Sequence, residues 1–423
     1  MRRDPRVLFL THYFPPEGNA PATRVHAFAR RWVRRAEGPL ATTVVTCVPN
    51  VPDGKPYDGY RNRLSQRETI DGIDVIRVWT WLAPNAGTTK RIVNFVSYMV
   101  SATIRSLFLA RPDVVIATSP QFFCGWAGVL VSWMRWAPFI LEVRDIWPES
   151  IVAVGAMRRG RLLRLLEWLE LRMYAAANHV VTVGEGYRRQ LVAKGVPEER
   201  ISIVTNGIDR ERLVPQAPDP QLAARFNPDG RFVCSYIGTV GMAAGLEVVV
   251  RAAERLRRDG RRDVRFLVVG DGATRESLAE EVRTAGLEDL VTVTGRQPKE
   301  LMNGFLSISD CCLVHLRRTD LFGTVLPSKI FEAAALERPI ILGVDGFAAD
   351  LIRETGCGLC IEPENDAELL AAIDTLRADR RLRAEMGARG REILSARYDI
   401  DRLSEEYAAL VSMVRARWLA GRR

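Results

Sequence analysis

The sequence predicts an α/β protein built from two doubly wound, Rossmann-like domains. Three observations carry this. Short apolar runs recur twelve times along 423 residues. Most lack polar alternation, which is how strands covered on both faces of a parallel sheet read. Helical patterns separate most of them, and a proline-rich stretch, Val214-Pro-Gln-Ala-Pro-Asp-Pro220, divides the chain near its middle.

In order, the first-half runs are 6–12, 42–48, 74–80, 114–120, 139–145 and 179–185. The second-half runs are 231–238, 265–271, 291–296, 310–316, 339–345 and 358–363. Helices are expected at 22–36, 246–259 and 274–285. The boundary is placed near Asn206-Gly207, a turn signal, so the domains read 1–204 and 205–390. Residues 391–423 read as a charged helical tail crossing back to the first domain. Such domains present the carboxyl ends of two parallel sheets across a cleft, and ligands of open α/β sheets bind at those ends.

Composition narrows the function. Hydrophobic residues make up 47% and charged residues 26%, an ordinary globular balance. Net charge is +9, yet residues 1–200 hold 28 basic and 17 acidic side chains while residues 201–423 hold 32 and 34. An anionic partner would meet the first half. Seven scattered cysteines suit a reducing cytoplasm and no disulfide framework. Cys357 and Cys360 form one C-x-x-C without a second pair or nearby histidine, so no zinc site is expected. No signal peptide is expected after Arg2, Arg3 and Asp4, and neither 92–109 nor 114–141 reads as a membrane span. No nucleic-acid motif accompanies the charge.

The turns after the strands carry the chemistry. The first, with Glu17, Gly18, Asn19 and Arg24, is long for its kind. It reads either as a loop over a sugar or phosphate, with Arg24 as an anion contact, or as a surface turn that starts a helix. Arg144-Asp145-Ile-Trp-Pro-Glu149 reads either as a salt bridge propping a loop or as a substrate-handling pair. Gly238-Thr239-Val-Gly241 and Gly270-Asp271-Gly272 suit close backbone approach to a phosphate. Arg296 follows the third strand of the second half. In Pro327-Ser328-Lys329-Ile-Phe-Glu332, a helix start offers free amides and a lysine to an anion, with a carboxylate one turn on. That suits a nucleotide, or else a capped helix with an internal Lys–Glu pair. Lys329 is one of five lysines, with Lys55, Lys90, Lys194 and Lys299.

Taken together, the motifs Tyr13-Phe-Pro-Pro-Glu-Gly-Asn-Ala-Pro-Ala-Thr-Arg24, Glu142-Val-Arg-Asp-Ile-Trp-Pro-Glu149, Asn206-Gly-Ile-Asp209 and Pro327–Glu332 span both halves in order. The whole chain resembles glycosyltransferase family 4, of GT-B architecture. More narrowly it is similar to the N-acetyl-L-fucosamine transferase-like branch of bacterial surface polysaccharide biosynthesis, such as O-antigen or capsule.

The resemblance implies a retaining transferase that moves a sugar, an N-acetylated amino sugar, from a UDP-sugar to a lipid-linked (polyprenyl-diphosphate) saccharide. It implies no cofactor and no obligatory metal. Glu332 matches the second glutamate of the family's E-x7-E motif, which holds the ribose hydroxyls. Thr324 stands where the first glutamate is expected. Many members place arginine after the first glycine of the second domain and a lysine soon after. Here Thr239, Ala243 and Ala244 stand there, and Lys329 and Arg296 become the candidates for the diphosphate, beside Gly238, Thr239, Gly241, Gly270 and Ser328. Arg144-Asp145 replaces a common His-Asp, which makes Asp145 the candidate to orient or deprotonate the acceptor. The alternatives are a GT-B nucleotide-sugar epimerase, or a non-catalytic nucleotide-sugar-binding or scaffold subunit.

Basic residues beside apolar ones also describe an interfacial surface. They are Lys90 and Arg91 before 92–108, and Arg158, Arg159 and Arg161 before Leu162, Leu163, Leu165, Leu166 and Trp168. The expected location is cytoplasmic, peripheral on the inner face of the cell membrane. The helix with Val25, Phe28, Ala29 and Trp32 on one face and Arg30, Arg31, Arg34 and Arg35 on the other reads as such a surface or as a helix packed on its sheet.

Overall fold

The computed structural model describes residues 5–36, 38–51, 53–83, 88–119, 121–148 and 160–422. These form two compact units, Met1–Asn206 with Ile400–Arg423, and Gly207–Asp399.

The first unit holds an eight-stranded sheet of order β3-β4-β2-β1-β5-β6-β7-β8. Its strands are β1 (Arg6–Leu10), β2 (Ala41–Cys47), β3 (Ser65–Ile70), β4 (Ile73–Val78), β5 (Val114–Thr118), β6 (Phe139–Val143), β7 (His179–Thr182) and β8 (Ile201–Ile203). All pairings are parallel except β3 with β4. Order reverses between β1 and β5, which makes their carboxyl ends the switch point. Every residue of β5 and β6 is buried, Glu142 included. That burial on both faces is why these runs lack alternation.

Two strands depart from the expected set. β3, Ser-Gln-Arg-Glu-Thr-Ile, has no buried residue and lies at the sheet edge. A polar edge strand carries little hydrophobic signal. It joins β4 through Asp71-Gly72, both at positive φ, which matches a two-residue hairpin turn. β8 is only three residues long.

The second unit has six parallel strands in the order β11-β10-β9-β12-β13-β14. They are β9 (Phe232–Ile237), β10 (Val264–Val269), β11 (Val291–Val293), β12 (Cys311–His315), β13 (Ile340–Gly343) and β14 (Gly358–Cys360). All six expected runs appear, and the switch point lies between β9 and β12.

The second unit runs to Asp399 rather than 390. Its last residues stay with it because Ile208 bridges Asp399 and donates its N–H to the Tyr398 carbonyl at 2.7 Å. The helix Ile400–Ala420 belongs to the first unit. There Tyr407, fully buried, meets Trp32 and Phe28 edge-on, with ring centroids 5.0 and 5.5 Å away. So the helix Ala20–Arg34 buries Val25, Phe28, Ala29 and Trp32, and its arginines are not a free basic face. Arg31 binds Asp401 at 2.5 Å, and Arg35, just past the helix, binds Glu405 at 2.7 Å.

Candidate functional site

In the first unit the switch-point loop is held from below. Glu17 is 2% exposed, and its Oε1 accepts the amides of Asn50 and Val51 at 3.0 and 3.2 Å. Asn19 Oδ1 accepts the Ala22 amide at 3.0 Å and caps the helix, an N-cap role. Gly18 is exposed between them. Burial pushes the Glu17 carboxyl up to about 7, against the pull of the two amides. Its ordinary value of 4.5 holds in the unfolded chain, so the unfolded chain releases this proton first as pH rises. The stabilisation present below pH 4.5 is therefore lost by about pH 7. Glu17→Gln keeps the acceptor oxygen and removes the titration. It should flatten this decline and be more stable than wild type at pH 8, by up to about 3 kcal/mol. Parallel melting curves for the two proteins from pH 4.5 to 8 would refute this.

Arg24 requires a correction. Of its two readings, the anion contact is not supported, because its guanidinium is already engaged by protein acceptors. Nε donates to Glu142 Oε1 at 3.1 Å, Nη1 to the Thr205 carbonyl at 2.6 Å and Asn206 Oδ1 at 3.3 Å, and Nη2 to the Val204 carbonyl at 2.7 Å. Glu142 is fully buried, and Thr118 Oγ1 donates to it at 3.1 Å. Arg24 is thus a structural hub joining the first loop, the end of β6 and residues 204–206.

Arg144 and Asp145 follow β6. The Arg144 amide donates to Ser119 Oγ at 3.2 Å, which ties this turn to the end of β5. Ile146 is fully buried and Trp147 lies 4.6 Å from Phe122, centroid to centroid. Glu149 lies outside the described residues.

In the second unit the glycines do what tight approach requires. Gly238 (φ +145°) follows β9 directly, and its amide donates to the Val269 carbonyl at 2.9 Å. Gly270 (φ +143°) lies so close that a Cβ on it would stand 1.9 Å from the Gly238 carbonyl oxygen. The Gly270 amide donates to the Gly295 carbonyl at 3.2 Å, so three strand ends are tied together. Thr239 accepts the Tyr236 hydroxyl on its carbonyl at 2.7 Å. Gly241 precedes a short 3₁₀ turn, Met242–Ala244. Arg296 is exposed on the turn after β11.

Lys329 lies along this glycine edge. A Cβ on Gly238 would stand 2.3 Å from Lys329 Cε, and Nζ sits 4.7 Å above the Tyr236 ring. Lys329, Glu332, Ile237, Leu306 and Cys312 line one small pocket. Among the described residues Lys329 and Glu332 form no ion pair with each other, so the internal-pair reading does not hold. The free-amide reading narrows too. The helix Lys329–Ala335 has seven residues, and the amides of Ile330 and Phe331 already donate to the carbonyls of Pro327 and Ser328. Ser328 makes no side-chain capping bond. Thr324 Oγ1 donates to the Leu321 carbonyl at 2.7 Å.

Two contributors escaped the sequence reading. Lys299 senses Glu332 electrostatically, and burial, then Arg212, lowers its pKa. His315, at the end of β12, faces the Ala244 carbonyl through Nδ1 at 2.7 Å and accepts the Glu364 amide at Nε2, 2.8 Å. It pins the loop after Gly241 as a neutral ring, and burial lowers its pKa. No motif marks either residue. The place of His315 at the end of β12 was the available signal; Lys299 opens a 3₁₀ turn six residues after β11 and carried none.

The presumed interfacial surface divides. Tyr98, Leu163 and Leu166 belong to the buried core, a correction to their expected place. Ile92, Val93, Ile104 and Phe108 are exposed, as are Leu162, Leu165 and Trp168 and, on the helix Phe122–Arg135 and just after it, Trp133, Met134 and Trp136. Arg158 and Arg159 lie outside the described residues. Among the described residues no helix is long and apolar enough to cross a membrane, and no three His, Cys, Asp or Glu side chains gather as metal ligands.

Known proteins match both units. A glycosyl transferase 4-like domain model matches residues 19–207, and the glycosyl transferases group 1 model matches residues 220–393. The chain is 25% identical over 341 residues to a putative colanic acid biosynthesis glycosyl transferase of Escherichia coli, spanning 78% of this chain and 82% of that one. It is 26% identical over 311 residues to a GDP-mannose-dependent alpha-mannosyltransferase of Mycobacterium tuberculosis, spanning 73% of each. The fold is similar to that of Anabaena HepE in complex with UDP and glucose, with a TM-score of 0.70 at 17% identity over 96% of this chain and 99% of that one.

Proposed function

Since the chain carries a glycosyl transferase 4-like domain and a glycosyl transferases group 1 domain on a GT-B fold, and so is a glycosyltransferase, we propose that it moves a sugar, an N-acetylated amino sugar, from a UDP-sugar to a lipid-linked saccharide with retention, in cell-surface polysaccharide assembly. The observation that carries this reading is Lys329, laid against Gly238 at the carboxyl end of β9 with Glu332 one turn on.

In the proposed reaction the glycosyl–phosphate bond breaks and negative charge builds on the departing diphosphate. The Lys329 ammonium faces that charge, and Arg296 is the second candidate to do so. Glu332 accepts the ribose hydroxyls. Asp145 orients or deprotonates the acceptor hydroxyl. No metal is invoked for these steps. The exposed Trp133, Trp136, Trp168, Leu162 and Phe108, with Lys90, Arg91 and Arg161 on the same unit, support a peripheral seat on an anionic cytoplasmic leaflet.

One assay tests the reading. The protein is incubated with UDP- and GDP-sugars, with and without a lipid-linked saccharide, and the products and their anomeric configuration are identified. Transfer from a UDP-sugar with retention is expected. Donor turnover without acceptor would make it an epimerase, and UDP binding without turnover would make it a scaffold. Glu332→Ala should raise the donor KM about 10- to 100-fold, the worth of a hydrogen bond to a charged group, with a smaller change in kcat. An unchanged KM would remove Glu332 from the ribose.

A further inference from the structure

Arg144 has a feature the proposed reaction leaves unexplained. Its backbone is fixed by Ser119, yet its guanidinium Nε and Nη1 are shut off from solvent and reach no acceptor among the described residues. The carboxylate two residues away does not serve. Glu142 Oε1 takes both Arg24 Nε and Thr118 Oγ1, and Oε2 faces Arg24 Nη2 at 3.5 Å. Burial, then the charge of Arg24, pushes the Arg144 pKa down to about 10, while Glu142, Tyr187 and Asp145 oppose the shift. At neutral pH the group stays charged.

Two buried N–H groups without acceptors are costly. The turn around them is tightly packed, with Ile146 fully buried, Tyr187 4% exposed and Trp147 against Phe122. These donors, without an acceptor among the described residues, are therefore preorganised rather than loose. They lie at the carboxyl end of β6, beside the ends of β5 and β7, where this fold takes ligands. A planar guanidinium fork is matched by a planar or tetrahedral oxyanion.

We propose that Arg144 is the recognition residue for an oxyanion, a sugar carboxylate or a phosphate, carried by the substrate that enters the first unit. This rests on the transferase reading for the word substrate, but the anion site stands on its own geometry.

The test uses the full chain and its melting temperature, with UDP saturating so that phosphate does not report on the second unit. The probes are sodium D-glucuronate and inorganic phosphate, with D-glucose and potassium chloride as controls. In wild type, at least one oxyanion should raise Tm by about 3 °C at ten times its Kd, and neither control should. Glucuronate alone would mark an acidic sugar as the source; phosphate alone would mark a phosphorylated carrier. In Arg144→Gln the shift should vanish while the UDP shift remains, which shows an intact fold. Arg144→Lys, should the glutamine variant not fold, should retain a reduced shift. No response to either oxyanion, or an equal response in wild type and variants, overturns the proposal. An oxyanion site lost with Arg144 in a protein that transfers no sugar would keep the proposal and overturn the transferase reading. Sugar transfer without any oxyanion response would do the reverse.

Discussion

Arg24→Met should destabilise the first unit by about 3–5 kcal/mol and lower its melting temperature by on the order of 10 °C. Glu142 has no exposure at all, and Arg24 only 5%. Removing the guanidinium leaves a buried carboxylate with the Thr118 hydroxyl still donating to it. Three further acceptors, on Val204, Thr205 and Asn206, lose their partner as well. The Glu142 pKa lies below its ordinary value, because Arg24 and then Arg144 outweigh burial. Stability from this pair is therefore present above pH 4.5 and lost as pH falls through the depressed folded value. The double variant Arg24→Met/Glu142→Met should recover much of the loss, since two apolar groups replace one unpaired charge. Thermal unfolding of the two single variants and the double variant checks this. A loss below about 1 kcal/mol in Arg24→Met would show that the hub is solvated, contrary to its burial.

This hub also shows where sequence reasoning ran short. Arg24 and Glu142 are 118 positions apart, and only the sheet order brings the first helix beside the end of β6. A lone arginine in a glycine-bearing turn looks like an anion contact until its partner is seen. The buried strands were legible because burial on both faces writes an unbroken apolar run. β3 was not, because an edge strand is polar, although its Asp71-Gly72 turn was visible in the sequence. At the site, Gly238, Gly270, Lys329 and Glu332 were legible as residue types at strand ends. The three-way tie among β9, β10 and β11 and the His315 clamp were not, because they depend on backbone carbonyls that no side-chain motif encodes.

Charge became more informative once the units were known. The helix Ile400–Ala420 and the residues after it return to the first unit five basic and three acidic side chains. With the 28 and 17 of residues 1–206, the first unit stands at +13 and the second at −4. A second unit of net negative charge must meet a diphosphate with a few local positive groups, which raises the weight on each of them.

Lys329→Ala should therefore lower kcat by about 10²–10³-fold, the usual effect of removing one preorganised group that faces developing charge. Three constraints place the ammonium. Gly238 has no side chain to displace the lysine stem, Tyr236 lies beneath Nζ, and the stem leaves the first residue of the helix Lys329–Ala335. Because the ammonium forms no ion pair among the described residues, its removal should leave the folding stability within about 1 kcal/mol of wild type. Gly238→Ala supplies an independent check. Its Cβ would meet Lys329 Cε at 2.3 Å, at a φ that L-residues rarely adopt. It should lose turnover as Lys329→Ala does while retaining the lysine. Lys329→Arg should recover only part, because a broad fork cannot follow the narrow path over the glycine that a point charge takes. Single-turnover rates at saturating donor separate chemistry from binding. A kcat for Lys329→Ala within threefold of wild type would remove Lys329 from the leaving group and shift that role to Arg296.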